Sequence, residues 1–419
     1  MKKTISIIKL IILTGIFLLT FNSYSYGQGS TYTGTYITSS PIRWNGISNQ
    51  TITGLQITNT LDSISDNTSG HCIYLVNCSN IIIQNCKLGP SIREGVHLYN
   101  CTNITIINCS MSYNATGVYA QLSSGIKVNY NDVLNVQGPA PKGSMVQFDN
   151  VSGEGNSVSY NVGENIAGQS FPNDEISLYM SNGTATSPIE VVGNWIRGGG
   201  PSTVGGGIMT GDGGGSYITV QNNILVDPGN YGIAVASGTN INISNNKIYA
   251  KQQSFCNAGI YAWNQYATPC SSLTIQNNQI NYTSSSGNLG TTWNGGNCGT
   301  ITGWSTNVYT PSLSAAILPT KIIGKVKGVT TGTDPAPTNV DYKIIPNPVF
   351  GESIIVTSES PGNEKISIYN LIGQMVINQS LTNNRTEINT RNLITGIYLV
   401  MILKNNKTVE VRKIIVRRN

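Results

Sequence analysis

Apolar and polar residues alternate along most of the chain in short lines that keep returning. The cleanest is I-N-I-S-N-N-K-I, Ile241 to Ile248. Related lines begin at Ile81 (I-I-I-Q-N-C-K-L), Ile104 (I-T-I-I-N-C-S-M), Ile126, Asn156, Ile189, Ile218 (I-T-V-Q-N-N-I-L) and Leu273. A period of two puts the first and third residues on one face of a strand. An Asn or Cys pair then makes a corner and an apolar residue follows. The spacing runs from 22 residues (Ile104 to Ile126) to 33 (Asn156 to Ile189). Such repetition marks a solenoid, whose single turn cannot bury its own core and so stacks on its neighbours. No long stretch has a 3.6-residue apolar period, so helices should be scarce.

Between the lines runs a second strand, with copies starting at Ile73, Val96, Val118, Val146, Ile176, Ile208, Ile233 and Ile260. Its first and third places, such as Ile73/Leu75 and Val146/Phe148, are nearly all apolar and should face a core. Its second and fourth places should face outward: Tyr74/Val76, His97/Tyr99, Tyr119/Gln121, Gln147/Asp149, Ser177/Tyr179, Met209/Gly211, Ala234/Ala236 and Tyr261/Trp263. Stacked strands lie about 4.8 Å apart, so these residues form one surface stripe. The expected fold is all-β: a right-handed parallel β-helix over residues 28–327, a linker over 328–340 (rich in Gly, Thr and Pro), and a small antiparallel β-sandwich over 341–419. The corner residues Asn222, Asn245 and Asn277, with Asn194, Asn223, Asn246 and Asn278, read as a structural ladder of stacked amides. Insertions around 135–143, 164–174, 197–206 and 249–258 all fall just before the second strand. They should therefore emerge on one side, often the binding side of a solenoid.

Charged residues are only 10% of the 419. Residues 1–27 read as an export signal, with Lys2, Lys3 and Lys9 ahead of or entering an apolar run from Leu10 to Phe21. The net charge of +5 belongs to the two ends. Three Lys lie in 1–27, and 340–419 holds ten Lys/Arg against six Asp/Glu, which leaves 11 basic and 13 acidic residues between. That balance gives no case for nucleic acid as a partner.

The last segment resembles the C-terminal sorting domain of the type IX secretion system. The matching stretches are I-I-P-N-P-V from Ile344, I-S-I-Y-N-L-I-G-Q-M-V from Ile366, L-I-T-G-I-Y-L-V from Leu393 and K-I-I-V from Lys413. The resemblance implies passage through the periplasm and across the outer membrane, with that machinery as a partner. The protein is then secreted or held at the outer-membrane surface.

Export permits disulfides. Cys78 and Cys101, like Cys86 and Cys109, take equivalent places on adjacent turns and suit either disulfides or stacked buried thiols. Cys256 and Cys270 bracket an insertion and suggest a disulfide that closes it. Cys72 and Cys298 have no evident partner. No metal-ligand spacing is present and only His71 and His97 exist, so no metal and no cofactor is expected, calcium remaining possible.

The stripe carries the candidate chemistry. Tyr74, Tyr99, Tyr119, Tyr179, Tyr261 and Trp263 offer flat apolar faces suited to sugar rings, with His97 and Gln147 beside them. Asp149, Asp174, Glu175 and Asp212 fall on three consecutive turns at or beside the stripe, amid glycines that let a ligand approach the backbone. Asp149 and Asp212 should sit two rungs apart, roughly 10 Å, near the separation at which one acid protonates a leaving group and another activates water. Elimination at a uronate would instead need a base such as Lys142, Arg93 or Arg197. Arg93, Glu94 and His97 form a second polar cluster at the N-terminal end of the stripe.

The solenoid resembles the pectate-lyase-like right-handed β-helix superfamily. The resemblance lies in the repeat: the polygalacturonase set N-T-D, D-D, G-H-G and R-I-K is missing, so no catalytic residue carries over. These readings together point to a monomer acting on a polysaccharide. Hydrolysis by the acid group stands ahead of elimination, and a non-catalytic glycan-binding or adhesion surface is the alternative.

Overall fold

The computed structural model describes residues 28–60, 70–324 and, apart from 348, 358–363, 371–374, 382 and 405–406, residues 342–418. The expected export signal and linker lie outside the described residues. The chain divides into two compact units at residues 329 and 330.

The first unit winds into turns of three strands. One turn comprises Ile73–Val76, Ser79–Gln84 and Lys87–Ser91; the next repeats it as Val96–Tyr99, Thr102–Ile107 and Ser110–Ser112. Each strand pairs in parallel with its equivalent one turn away, giving three faces: the stripe face, the line face and a third face. On the stripe face the register runs Ile73, Val96, Val118, Val146, Ile176, Ile208, Ile233, Ile260, as the apolar alternation requires. On the line face Ile81 meets Ile104 and then Ile126, and Ile189 meets Ile218 and then Ile241. Slipping one strand by one residue would turn its apolar set to solvent, so burial itself fixes the register. The core is a continuous column of Ile, Val and Leu from the three faces, with Cys and Phe148 among them. Among the described residues the only helical segments are two 3₁₀ turns, Trp304–Thr306 and Ala315–Ile317.

The corners explain the Asn pairs. The first Asn, as at 222, 245 and 277, has a left-handed backbone with φ of 56–59°, which Asn tolerates better than most residues. The second is buried and forms a ladder. Asn194 Nδ2 donates to Asn223 Oδ1, Asn223 to Asn246, Asn246 to Asn278 and Asn278 to Asn307, at 2.7–2.9 Å. In the early turns cysteine fills this place. The Cys109 backbone N–H donates to Asn131 Oδ1 (2.9 Å), and its thiol donates to the Ile83 carbonyl, where Asn131 Nδ2 donates to that of Ile106.

Cys78, Cys86, Cys101 and Cys109 are therefore buried free thiols, and the disulfide alternative is not realised. The expected Cys256–Cys270 bridge does not form either. Cys256 is a buried free thiol, and Cys270 bonds Cys298 at a Cα–Cα distance of 4.5 Å. The partner lies one turn ahead, where parallel stacking supplies the short separation a disulfide needs.

After the last turn the chain folds back over the third face. Leu318 and Ile322 pack on Val162 and Val226 beside Trp195 and Tyr249. Arg197 holds this strap: its guanidinium meets Glu164 Oε1 (3.0 Å) and donates to the carbonyls of Thr320 (2.8 Å) and Pro319.

The second unit pairs its strands antiparallel. One sheet holds Lys343–Ile345, Ser353–Thr357 and Arg385–Asn389. The other holds Met375–Leu381, Glu364–Asn370, Gly396–Lys404 and Lys407–Val416. Ile354, Val356, Ile388, Ile366, Val400 and Ile414 form its separate core.

Candidate active site

Two columns of the stripe matter. One runs Tyr74, His97, Tyr119, Gln147, Ser177, Met209, Ala234, Tyr261, Trp293. The other runs Val76, Tyr99, Gln121, Asp149, Tyr179, Asp212. Asp149 and Asp212 are thus two rungs apart. The strand slips register around Tyr179, and Gly211, with φ 66°, places Asp212 there. A Cβ at Gly211 would lie 1.8 Å from the Ser237 carbonyl oxygen, so only glycine fits.

The insertions wall off a pocket of about 260 Å³ over these columns. Tyr119, Gln147, Asp149, Ser177, Tyr179 and Asp212 come from the stripe, Pro141 and Lys142 from the first insertion, and Asn173 and Asp174 from the second. The third insertion supports the second. Ser202 Oγ donates to Asn173 Oδ1 (3.1 Å), and the Gly206 N–H donates to Asp174 Oδ1 (3.1 Å).

The three aspartates differ in setting. Asp149 has three donors: Tyr119 Oη (2.5 Å) and Gln121 Nε2 (3.0 Å) donate to Oδ2, and Asn150 Nδ2 (2.7 Å) donates to Oδ1. Asp212 accepts on Oδ1 from the Tyr266 hydroxyl. Asp174 is buried and accepts on Oδ1 from the Tyr231 hydroxyl and the Gly206 N–H. Its carboxyl is pushed up to about 6: burial raises it most, the two donated bonds pull against this, and the charge of Asp212 adds a smaller push upward. Gln147 adds a second feature: its Oε1 is buried in the pocket wall with no hydrogen-bond partner among the described residues.

Glu175, expected among the acids, does not reach the pocket. It is fully buried, and Asn165 from the second insertion donates to both its carboxylate oxygens (2.9 and 2.8 Å). Burial drives its carboxyl well above the usual range. Strand alternation points it outward, but the insertion folds over it. Tyr119 and Tyr261 are likewise covered, whereas Tyr99, Tyr179 and Trp263 are exposed. Lys142 Nζ sits 3.1 Å from the centre of the Tyr119 ring. Tyr261 and Trp263 lie beyond the pocket with Trp293, at ring distances of 6.4 and 5.7 Å from it. Trp293 lies outside the repeated lines, and only the register reveals its place on the stripe.

Of the candidate bases, Lys142 lines the pocket. Arg197 is held by the strap on the third face, and the Arg93 side chain lies against Gly70. Of the second polar cluster, Glu94 is buried and His97 partly buried, while, among the described residues, Arg93 is not a partner of Glu94. Glu94 Oε2 meets Nδ1 of His71 (2.7 Å) and of His97 (3.4 Å), and Oε1 meets Lys142 Nζ (3.2 Å). Burial opposes the Glu94 charge, but these neighbours outweigh it and hold the carboxyl well below its usual range. Sequence spacing brought Glu94 and His97 together but hid His71 and Lys142, which come from an adjacent turn and an insertion.

Residues 40–248 match the family described as right handed beta helix region, and residues 343–417 match the secretion system C-terminal sorting domain. The chain is a right-handed parallel β-helix protein that carries a type IX secretion sorting domain. It is an exported protein, secreted or held at the cell surface. No curated protein matches. Among solved structures, the Siphovirus 9NA tailspike receptor binding domain is similar at 11% identity and a TM-score of 0.26, over 84% of this chain and 65% of that one. The tailspike protein gp49 from Acinetobacter baumannii bacteriophage Fri1, a capsular polysaccharide depolymerase, is similar at 11% identity and 0.26, over 90% and 64%. The chain thus spans just under two thirds of each.

Proposed function

We propose that the protein is a secreted polysaccharide hydrolase whose pocket uses Asp174 as general acid and Asp212 as general base. The observation that supports this reading is the difference in setting between two pocket carboxylates, Asp174 and Asp212. Asp174, pushed up to about 6, keeps a proton in mildly acidic water and gives it to the leaving glycosidic oxygen as the C–O bond breaks. Asp212, with its bond from Tyr266 on Oδ1, takes a proton from the water whose oxygen bonds to the anomeric carbon. Asp149 is held by three donors, Tyr119, Gln121 and Asn150; it orients the pocket wall. Gln147 lines the same pocket with Asp149 and Ser177. Exposed Tyr99 and Tyr179 flank the pocket for ring stacking.

Elimination is the second reading, favoured by Lys142 in the same pocket. The test is a polysaccharide panel scored for reducing ends and for unsaturated-sugar absorbance, with Asp174→Asn and Asp212→Asn beside wild type. Reducing ends without absorbance, lost in both variants, support hydrolysis. Absorbance that needs Lys142 supports elimination. Glycan binding without turnover leaves the adhesion alternative.

A further inference from the structure

The chain has two histidines, and the fold sets both against one carboxylate. His71 immediately precedes one stripe strand by two residues, Glu94 precedes the next strand by two, and His97 lies within it. His71 Nδ1 is 2.7 Å and His97 Nδ1 3.4 Å from the same Glu94 oxygen, Oε2, and the three donor atoms all lie within 4.8 Å of one another. The rings are fixed in place. His71 stacks on Tyr74 (5.1 Å, 15°), and His97 is edge-on to Tyr74 (4.8 Å) and Tyr119 (5.0 Å).

We propose that His71, Glu94 and His97 form a binding site for one divalent transition-metal ion of the zinc class. Two imidazole nitrogens with one carboxylate oxygen make a mixed nitrogen and oxygen donor set that suits Zn²⁺ or Co²⁺. Calcium and magnesium take six or more oxygens, and this cluster offers too few. Three protein donors leave a coordination position open. His71 and Glu94 are almost wholly buried, but His97 is 14% exposed, which gives the ion a way in. Lys142 Nζ sits on the other Glu94 oxygen, Oε1 (3.2 Å), and so turns Oε2 toward the histidines. A neighbour of this kind orients a ligand rather than binding the ion. Lys142 also lines the carboxylate pocket, so the ion would brace one pocket wall. The proposal does not depend on what the pocket hydrolyses.

The test uses the exported chain, stripped with a chelator and titrated with zinc against a chromophoric competitor, and separately with cobalt. The expected result is one equivalent of zinc and a visible cobalt spectrum of low coordination number with nitrogen ligands. His97→Ala, the most exposed ligand, should weaken zinc by about tenfold or more while the metal-free protein still folds, as its circular dichroism shows. The wild-type cobalt spectrum needs no variant and stands if a substitution fails to fold. Failure to bind stoichiometric zinc or cobalt would overturn the site. So would a cobalt spectrum unchanged in His97→Ala, or calcium binding that zinc does not displace.

Discussion

Tyr231 and Asp174 lie 57 residues apart, and the buried phenol of the one donates a hydrogen bond to Oδ1 of the other. The bond ties a stripe strand to the second insertion, and the Gly206 N–H from the third insertion completes it. An acid is thereby held at the pocket wall by two neutral donors rather than by a cation, so burial wins and its carboxyl rises to about 6.

That rise has a stability consequence of definite sign. A folded-state value of about 6 against 3.8 means the native state holds the proton longer than the unfolded chain. Stability from this group is full below about pH 4 and is lost as pH rises through about 6, by about 3 kcal/mol. Asp174→Asn keeps an acceptor for Tyr231 and cannot ionise. Denaturant melts at pH 4 and pH 8 should show a smaller fall for Asp174→Asn than for wild type. Equal falls would mean that Asp174 ionises freely in the native state.

Gly206→Ala tests the support of the acid. A Cβ there would lie 2.6 Å from the Tyr231 carbonyl oxygen and 2.8 Å from its ring. The substitution should displace the Tyr231–Asp174 pair and cut activity at least as much as Tyr231→Phe. Kinetics and near-UV circular dichroism of the two variants check this.

The Asn ladder should dominate the stability of the middle turns. Asn223 donates to the Val191 carbonyl and to Asn246 Oδ1 (both 2.9 Å), and it accepts from the backbone and side chain of Asn194 (both 2.9 Å). Asn223→Ala strands those buried groups and should cost about 3 kcal/mol or more. The shift in urea midpoint measures it. A surface corner such as Asn222→Ala should cost far less.

Much of the fold was legible because side-chain period and burial leave little choice. Ile73, Val96, Val118 and Val146 stack as their alternation demands. Asp149 and Asp212 also fall two rungs apart, but Asp212 reaches that place through the register slip around Tyr179 and not by alternation. What alternation could not show was the path of the insertions. The second insertion buries Glu175 under Asn165, and the first lays Lys142 over Tyr119. Cys270 found Cys298 rather than Cys256 because the nearer neighbour in space is one turn ahead. His71, Glu94 and His97 carry no sequence spacing of a metal site, since they meet only when turns stack.

The disulfide closes a sequence separation of 28 residues. The chain-entropy estimate for such a loop is about 3.5 kcal/mol, so Cys270→Ser with Cys298→Ser should lower the melting temperature. Alkylation should label no thiol of the native wild-type protein and six after unfolding without reductant, matching the buried free cysteines.

The pH dependence of kcat/KM for the polysaccharide found by the panel tests the central claim most directly. With Asp174 as the acid, the rate should fall as pH rises through about 6, and Asp174→Asn should lose about 10²-fold or more with that limb abolished. Wild-type turnover that persists unchanged in Asp174→Asn, with the same alkaline limb, would contradict it.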